Sequence, residues 1–203
     1  LRYSVKPSVF PVALLEAADA MKMIREHAAE WHVDPEAIAV IGFSAGGHLA
    51  ANLATSASDD VLAAHGYDPD AVRPNGLMLA YPVITSGPLA HRGSFDSLLG
   101  ERRNDPETLE SVSIEHHIDT KTPPVFVWHT VPDEVVPYEN TLMLIDACKK
   151  AGVSVEAHLF PQGGHGLSLG TAETAWQGID GIEPSMQIWT QLAVAWMRRT
   201  FAR

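Results

Sequence analysis

The segment Gly42-Phe43-Ser44-Ala45-Gly46 sets a serine between two glycines, one residue removed on each side. A serine hydroxyl is a poor nucleophile until a base takes its proton, so the pattern calls for a histidine and a carboxylate elsewhere in the chain. Three fixed positions recur by chance roughly once in fifteen chains of this size, and the setting therefore decides. The apolar run Ala37–Ile41 reads as a strand covered on both faces. The small residues from Ala45 to Ala54 suit a helix packed closely on a sheet. A strand, a tight turn and a helix in that order hold the serine at strained dihedrals with its hydroxyl above the sheet edge. A side chain at Gly42 or Gly46 is expected to collide with the neighbouring strand or helix. The helix N-terminus faces the reacting oxygen, so the Ala45 N–H can stabilise an oxyanion.

Two later loops offer the partners. His129-Thr-Val-Pro-Asp133-Glu-Val-Val-Pro137 follows the strand-like Pro124–Trp128, and Pro161-Gln-Gly-Gly-His165-Gly-Leu follows Val153–Phe160. Both leave the carboxyl ends of expected parallel strands, where such sheets place their sites. Asp133 is the expected acid, accepting a hydrogen bond from the imidazole and fixing its tautomer; Glu134 is the competitor. His165 is the expected base, because Gly163, Gly164 and Gly166 let the backbone turn the ring inward. The chain has ten histidines. His48 reads as a packing residue on the helix after Ser44, and His129 as structural at a strand end, with a place in the site wall as the alternative. His91, His116 and His117 read as surface groups. Tyr81-Pro-Val-Ile-Thr-Ser-Gly87, with His91 and Arg92, is a candidate wall for an acyl or leaving-group pocket.

The elements that must hold these groups alternate between strand and helix, which points to an α/β fold with a mostly parallel sheet and helices on both faces. Leu1–Val5 reads as the tail of a strand. Pro11 opens an amphipathic helix carrying Val12, Leu15, Ala18, Met21 and Ile24. Asn75-Gly76 precedes a strand at Leu77–Tyr81. Residues 83 to about 122 are irregular, with short helical pieces near Phe95–Leu99 and Pro106–Val112. Glu139–Ala151 is a helix stopped by Gly152, and Pro184–Phe201 a long terminal one. No repeat or linker divides residues 1–203, which are expected to form one domain.

Composition narrows the partners. The 203 residues are 46% hydrophobic and 19% charged, with a net charge of -11 at pH 7. That balance disfavours nucleic acid and anionic membranes, which attract Lys/Arg-rich surfaces. No apolar run approaches the roughly 20 residues needed to span a bilayer, and the chain's first residues show no leader pattern, so a cytoplasmic setting is expected. The single cysteine, Cys148, excludes an internal disulfide and reads as a small buried hydrophobe. No Cys/His cluster has zinc-ligand spacing.

Gly42-Phe-Ser-Ala-Gly-Gly-His-Leu-Ala50, Tyr81–Gly87, His91-Arg-Gly-Ser-Phe95, Trp128-His-Thr-Val-Pro-Asp133 and His165-Gly-Leu-Ser-Leu169 together resemble the acetyl-xylan-esterase-like α/β-hydrolases over nearly the whole chain. The resemblance implies a three-layer α/β-hydrolase fold and hydrolysis of acetyl or other short-chain esters, small or carried on plant polysaccharide, without cofactor. It assigns Ser44, Asp133 and His165 to a triad and the Ala45 N–H to the oxyanion hole. Such proteins carry, ahead of the segment matching Leu1–Val5, several strands and a Gly-rich turn that supplies a second oxyanion donor. Here the only Gly-Gly pairs are Gly46-Gly47 and Gly163-Gly164. The expectation is that roughly 60–90 residues, about three strands with their connections, are absent. Losing one oxyanion donor typically costs about 10²–10³ in kcat. Two rivals follow. A prolyl-oligopeptidase-type serine peptidase shares the elbow and the triad order but needs a gating domain. A non-catalytic remnant would keep the fold without the reaction. A dienelactone-hydrolase-like enzyme would carry cysteine where Ser44 stands.

Overall fold

The computed structural model describes residues 1–175 and 181–202. Four strands, β1 (Ala39–Phe43), β2 (Gly76–Ala80), β3 (Val125–Thr130) and β4 (Val155–Phe160), form one sheet in the order β1-β2-β3-β4, and every pairing is parallel. The helices are α1 (Val12–Glu26), α2 (Ala28–Trp31), α3 (Ala45–Ala54), α4 (Asp59–Ala64), α5 (Pro69–Val72), α6 (Arg92–Leu99), α7 (Pro106–Ser111), α8 (Glu139–Ala151) and α9 (Trp189–Thr200). Parallel neighbours put all four strand ends on one edge of the sheet. The loops after β1, β3 and β4 therefore meet there, carrying Ser44, Asp133 and His165.

Alternation along the strands builds two cores. Leu77, Leu79, Val125 and Val127 point to one face, where Ala50, Ala51 and Ala54 of α3 and Leu144 and Cys148 of α8 cover them. Met78, Ala80, Phe126 and Trp128 point to the other, under Trp189, Ala193 and Trp196 of α9. The alanines let α3 approach the sheet closely; α1 then packs Leu14, Ala17, Ala18 and Met21 on the outer side of α3, around Leu53. This is the expected α/β architecture of three layers with helices on both faces. Every residue of β2 and β3 is buried, whereas Ile41 of the edge strand β1 is 45% exposed. Cys148 is buried, as its place in the helix pattern implies. No helix among the described residues is long and apolar enough to cross a membrane.

The later strands lie within two residues of their expected bounds, β4 starting at Val155 rather than Val153; three other differences have a visible cause. Residues 1–5 form no strand: Leu1 and Val5 are exposed, and Ser4 is held instead by its N–H and hydroxyl on the Glu16 carboxylate, both at 2.6 Å. An extended segment becomes a strand only when a neighbour takes its backbone groups. The first strand starts two residues late because the turn at Asp34 extends through Ala37, and Ile38 N–H goes to the Asn75 side chain at 3.2 Å. The terminal helix divides into a 3₁₀ turn, Pro184–Met186, and α9.

Candidate active site

Ser44 sits at φ 54, ψ -122, a region that a residue with a side chain rarely adopts. The surroundings hold it there. Its N–H donates to Ala80 O (3.0 Å), and its carbonyl accepts from the N–H groups of His48 and Val83 (3.2 Å each). The turn closes only because Gly42 lacks a side chain: a Cβ there would lie 2.3 Å from Gly46 O and 2.8 Å from Ala50 Cβ. The expectation for Gly46 needs correction. A Cβ at Gly46 would meet only the Tyr3 hydroxyl, at 3.3 Å; the second close approach is at Gly47, 2.9 Å from Pro82 Cβ. Ala45 is the first residue of α3, so its N–H has no carbonyl partner one turn back within the helix.

The three distant residues meet. Ser44 Oγ is 2.8 Å from His165 Nε2, and His165 Nδ1 is 2.7 Å from Asp133 Oδ2. A carboxylate can only accept, so Nδ1 carries the hydrogen and Nε2 is left to accept from the serine hydroxyl. Gly163 and Gly166 flank the ring at φ +99 and +78, and the Thr130 hydroxyl donates to Gly164 O at 3.0 Å. Gly164 itself has ordinary φ and open space around its Cβ position, so the turn does not depend on it. The Tyr81 ring packs edge-on against His165 with centroids 4.9 Å apart, and its hydroxyl accepts from Ser168 N–H at 3.1 Å. Burial pushes the Tyr81 phenol up to about 12, so it stays protonated beside the imidazole.

Asp133 is fully used. Oδ1 accepts from the N–H groups of Val135 and Val136, at 2.9 Å each; Oδ2 accepts from His165 and from His129 Nε2, the latter at 3.2 Å. Burial alone would raise this carboxyl, but the hydrogen bonds from His129, His165 and Val136 outweigh it and hold the group below the usual carboxylate range. Glu134, the rival acid, is exposed; the carboxylate that His165 and His129 face is Asp133.

His129 is structural, as its place at the strand end implied, but its bond to the Asp133 carboxylate was not expected. Its ring is wholly buried, its Nε2 faces both Asp133 Oδ2 and Val136 O (3.0 Å), and its Nδ1 lies 2.8 Å from the Thr141 hydroxyl. The one signal in the sequence was its place four residues before Asp133 at the end of a buried strand. Asn140 is a residue whose part the sequence reading missed. Its side-chain oxygen accepts from Ile84 and Thr85 N–H (2.9 and 3.1 Å), and its amide nitrogen donates to Leu89 and Pro137 carbonyls, tying the segment after β2 to the Asp133 loop. His48 is buried against Phe95 and bonded to Val112 O at 2.8 Å, as a packing residue would be. His116 is exposed, and His91 and His117 are half-buried. Val83 and His91 do line a cavity beside Ala45, of about 340 Å³; Arg92 instead pairs with Asp96 at the surface. No group of three or more His, Cys, Asp or Glu side chains among the described residues could hold a metal ion.

A parallel sheet sandwiched by helices, with a strained serine at the turn after a strand and a histidine on the loop after the last one, defines an α/β-hydrolase. The chain belongs to the BD-FAE family, whose profile matches residues 2–147. It is 35% identical over 167 residues to endo-1,4-beta-xylanase B of Butyrivibrio fibrisolvens, covering 81% of this chain and 26% of that protein. It is 29% identical over 160 residues to the acetylxylan esterase of Xylanibacter ruminicola, covering 77% and 31%. The crystal structure of an acetyl ester-xyloside bifunctional hydrolase from Caldicellulosiruptor lactoaceticus superposes with a TM-score of 0.82 at 38% identity, over 98% of this chain and 70% of the other. The chain thus spans about a third or less of the length of these two sequence relatives.

Proposed function

We propose that the 203 residues form one hydrolase domain that cleaves short-chain, acetyl-type carboxylic esters by a serine acyl-enzyme route. The observation that carries this reading is the continuous relay from Ser44 Oγ through His165 to Asp133 Oδ2, at 2.8 and 2.7 Å. In the reading, Ser44 Oγ attacks the ester carbonyl carbon as His165 Nε2 takes its proton. The oxyanion forms against the Ala45 N–H at the start of α3. His165 then gives the proton to the departing alcohol oxygen, leaving the acyl group on Ser44. Water attacks that ester with His165 as base again, the acid leaves and Ser44 regains its hydrogen. Asp133 stays ionised throughout and stabilises the imidazolium; its four hydrogen bonds suit that role. An acetylxylan esterase and an acetyl ester-xyloside hydrolase are among the similar proteins, which favours acyl groups on sugar carriers as the substrate class. A peptidase reading has less support, because the cavity beside Ala45 is largely apolar and among the described residues presents no carboxylate to hold a peptide amine.

The test is hydrolysis of p-nitrophenyl acetate by the chain and by Ser44→Ala. Loss of the nucleophile should lower kcat by about 10⁶. Equal rates in the two proteins would falsify the assignment.

A further inference from the structure

Four residues of α3 at positions 45, 48, 49 and 52 share one helix face, and that face lines the cavity that begins at Ala45, the residue after Ser44. Ala45 is at the reacting end and Asn52 at the far end. Seven residues of helix separate them, about 10 Å at 1.5 Å per residue. Between the two ends the walls are mostly apolar, with Val83, Phe95 and Leu98 among them. Asn52 breaks the pattern. It is 2% exposed, and neither its amide nitrogen nor its amide oxygen has a hydrogen-bond partner among the described residues. An amide buried without partners is costly, and it stands on a helix otherwise built of Ala, Leu, Gly and one histidine that is bonded.

We infer that Asn52 is a specificity-determining residue, recognising a hydroxyl-bearing ester substituent that runs along the apolar cavity from Ser44. This rests on the serine-esterase reading above. The substituent is longer than acetyl, apolar for about 10 Å and ends in a group that both donates and accepts. The amide offers both halves of that exchange: its oxygen takes the hydroxyl hydrogen, and its nitrogen donates to the hydroxyl oxygen. An all-alkyl substituent of the same length leaves both amide atoms unpaired and is discriminated against. The substituent belongs to the acyl group or to the alcohol, and the two sources separate in the experiment.

Two ester pairs serve as probes. The p-nitrophenyl esters of 8-hydroxyoctanoic and nonanoic acids place the hydroxyl on the acyl side; the acetates of 1,8-octanediol and 1-nonanol place it on the alcohol side. The expected result is a kcat/KM ratio, hydroxyl over alkyl, of about tenfold in one pair, equivalent to one such hydrogen bond. In Asn52→Leu the ratio falls to one or below. The same variant should melt at or above the temperature of the parent, because an apolar side chain of similar size replaces an unpaired amide. A ratio near one for both pairs in the parent overturns the inference. So does a variant that loses hydroxyl and alkyl substrates in equal proportion, or one that melts lower, since either marks Asn52 as structural. A binding arm is independent of turnover: 8-hydroxyoctanoic acid should bind about tenfold tighter than nonanoic acid, and the difference should vanish in Asn52→Leu. If p-nitrophenyl acetate is not hydrolysed while that binding preference holds, the esterase reading fails and the Asn52 site stands. If it is hydrolysed and neither preference is seen, the Asn52 site fails and the esterase reading stands.

Discussion

On the two sides of Ser44 the polar side chains are treated in opposite ways. Towards β3 and β4, each Asp133 oxygen accepts two hydrogen bonds, and His129 and His165 each use both ring nitrogens. Towards α6, the cavity face of α3 ends in Asn52, whose amide is buried with no partner among the described residues. A saturated network resists reorganisation, which suits groups that must be aligned before reaction. An unpaired amide in an apolar wall gains its partner only from something that enters. The first side is built for a fixed reaction and the second for choice among substrates.

Breaking the saturated side should have the largest effect. Asp133→Asn keeps the size of the side chain but lets an amide hydrogen face His165 Nδ1, which favours the wrong imidazole tautomer. The expected loss is about 10⁴ in kcat with KM little changed, measured on p-nitrophenyl acetate. His129→Leu removes only one of the four bonds to the carboxylate. A hydrogen bond to a charged group contributes about 1.5–3 kcal/mol, so kcat should fall about ten- to a hundredfold. The same variant moves acid unfolding. The folded-state pKa of Asp133 lies below its ordinary value, so the stability it contributes is present above about pH 4 and is lost as pH falls through the folded value. Without His129 that value is depressed less, and the acid-unfolding midpoint should shift to higher pH. An unchanged midpoint would show that His129 fills space without tuning the carboxylate.

The sequence made the relay legible because each of its members follows an apolar strand, and parallel strands deliver such loops to one edge. The helix Glu139–Ala151 was readable to the residue, since Gly152 supplies the left-handed cap at φ 73. What stayed hidden depends on partners far along the chain. Asn140 acts on Ile84 and Thr85, 56 and 55 residues away, and nothing near it announces that. His129 resembled any histidine at a strand end until Thr141 and Asp133 stood on either side. Asn52 was hidden for the opposite reason, because a helix of small residues reads as pure packing. The misread strand at residues 1–5 has the same origin: its pattern is extended, but strand formation needs a neighbour.

The loop that carries His165 gives a smaller and sharper test of the saturated side. Three glycines surround the ring, and the sequence treats them alike. The structure does not. Gly163 is at φ +99, and a Cβ there would lie 2.5 Å from Leu167 Cδ1 and 3.3 Å from Thr130 Cγ2. Gly164 has neither a positive φ nor an atom within 4 Å of the added carbon. Gly163→Ala should therefore destabilise the fold by about 1–3 kcal/mol, and any shift of its backbone moves the ring next to it, so kcat should fall as well. Gly164→Ala should stay within about 0.5 kcal/mol of the parent, with catalysis little altered. Thermal unfolding and kcat, measured on both variants, separate a loop shaped by one demanding position from a loop that merely needs to be flexible. Equal losses from the two substitutions would favour the second and weaken the claim that this side of Ser44 is preorganised.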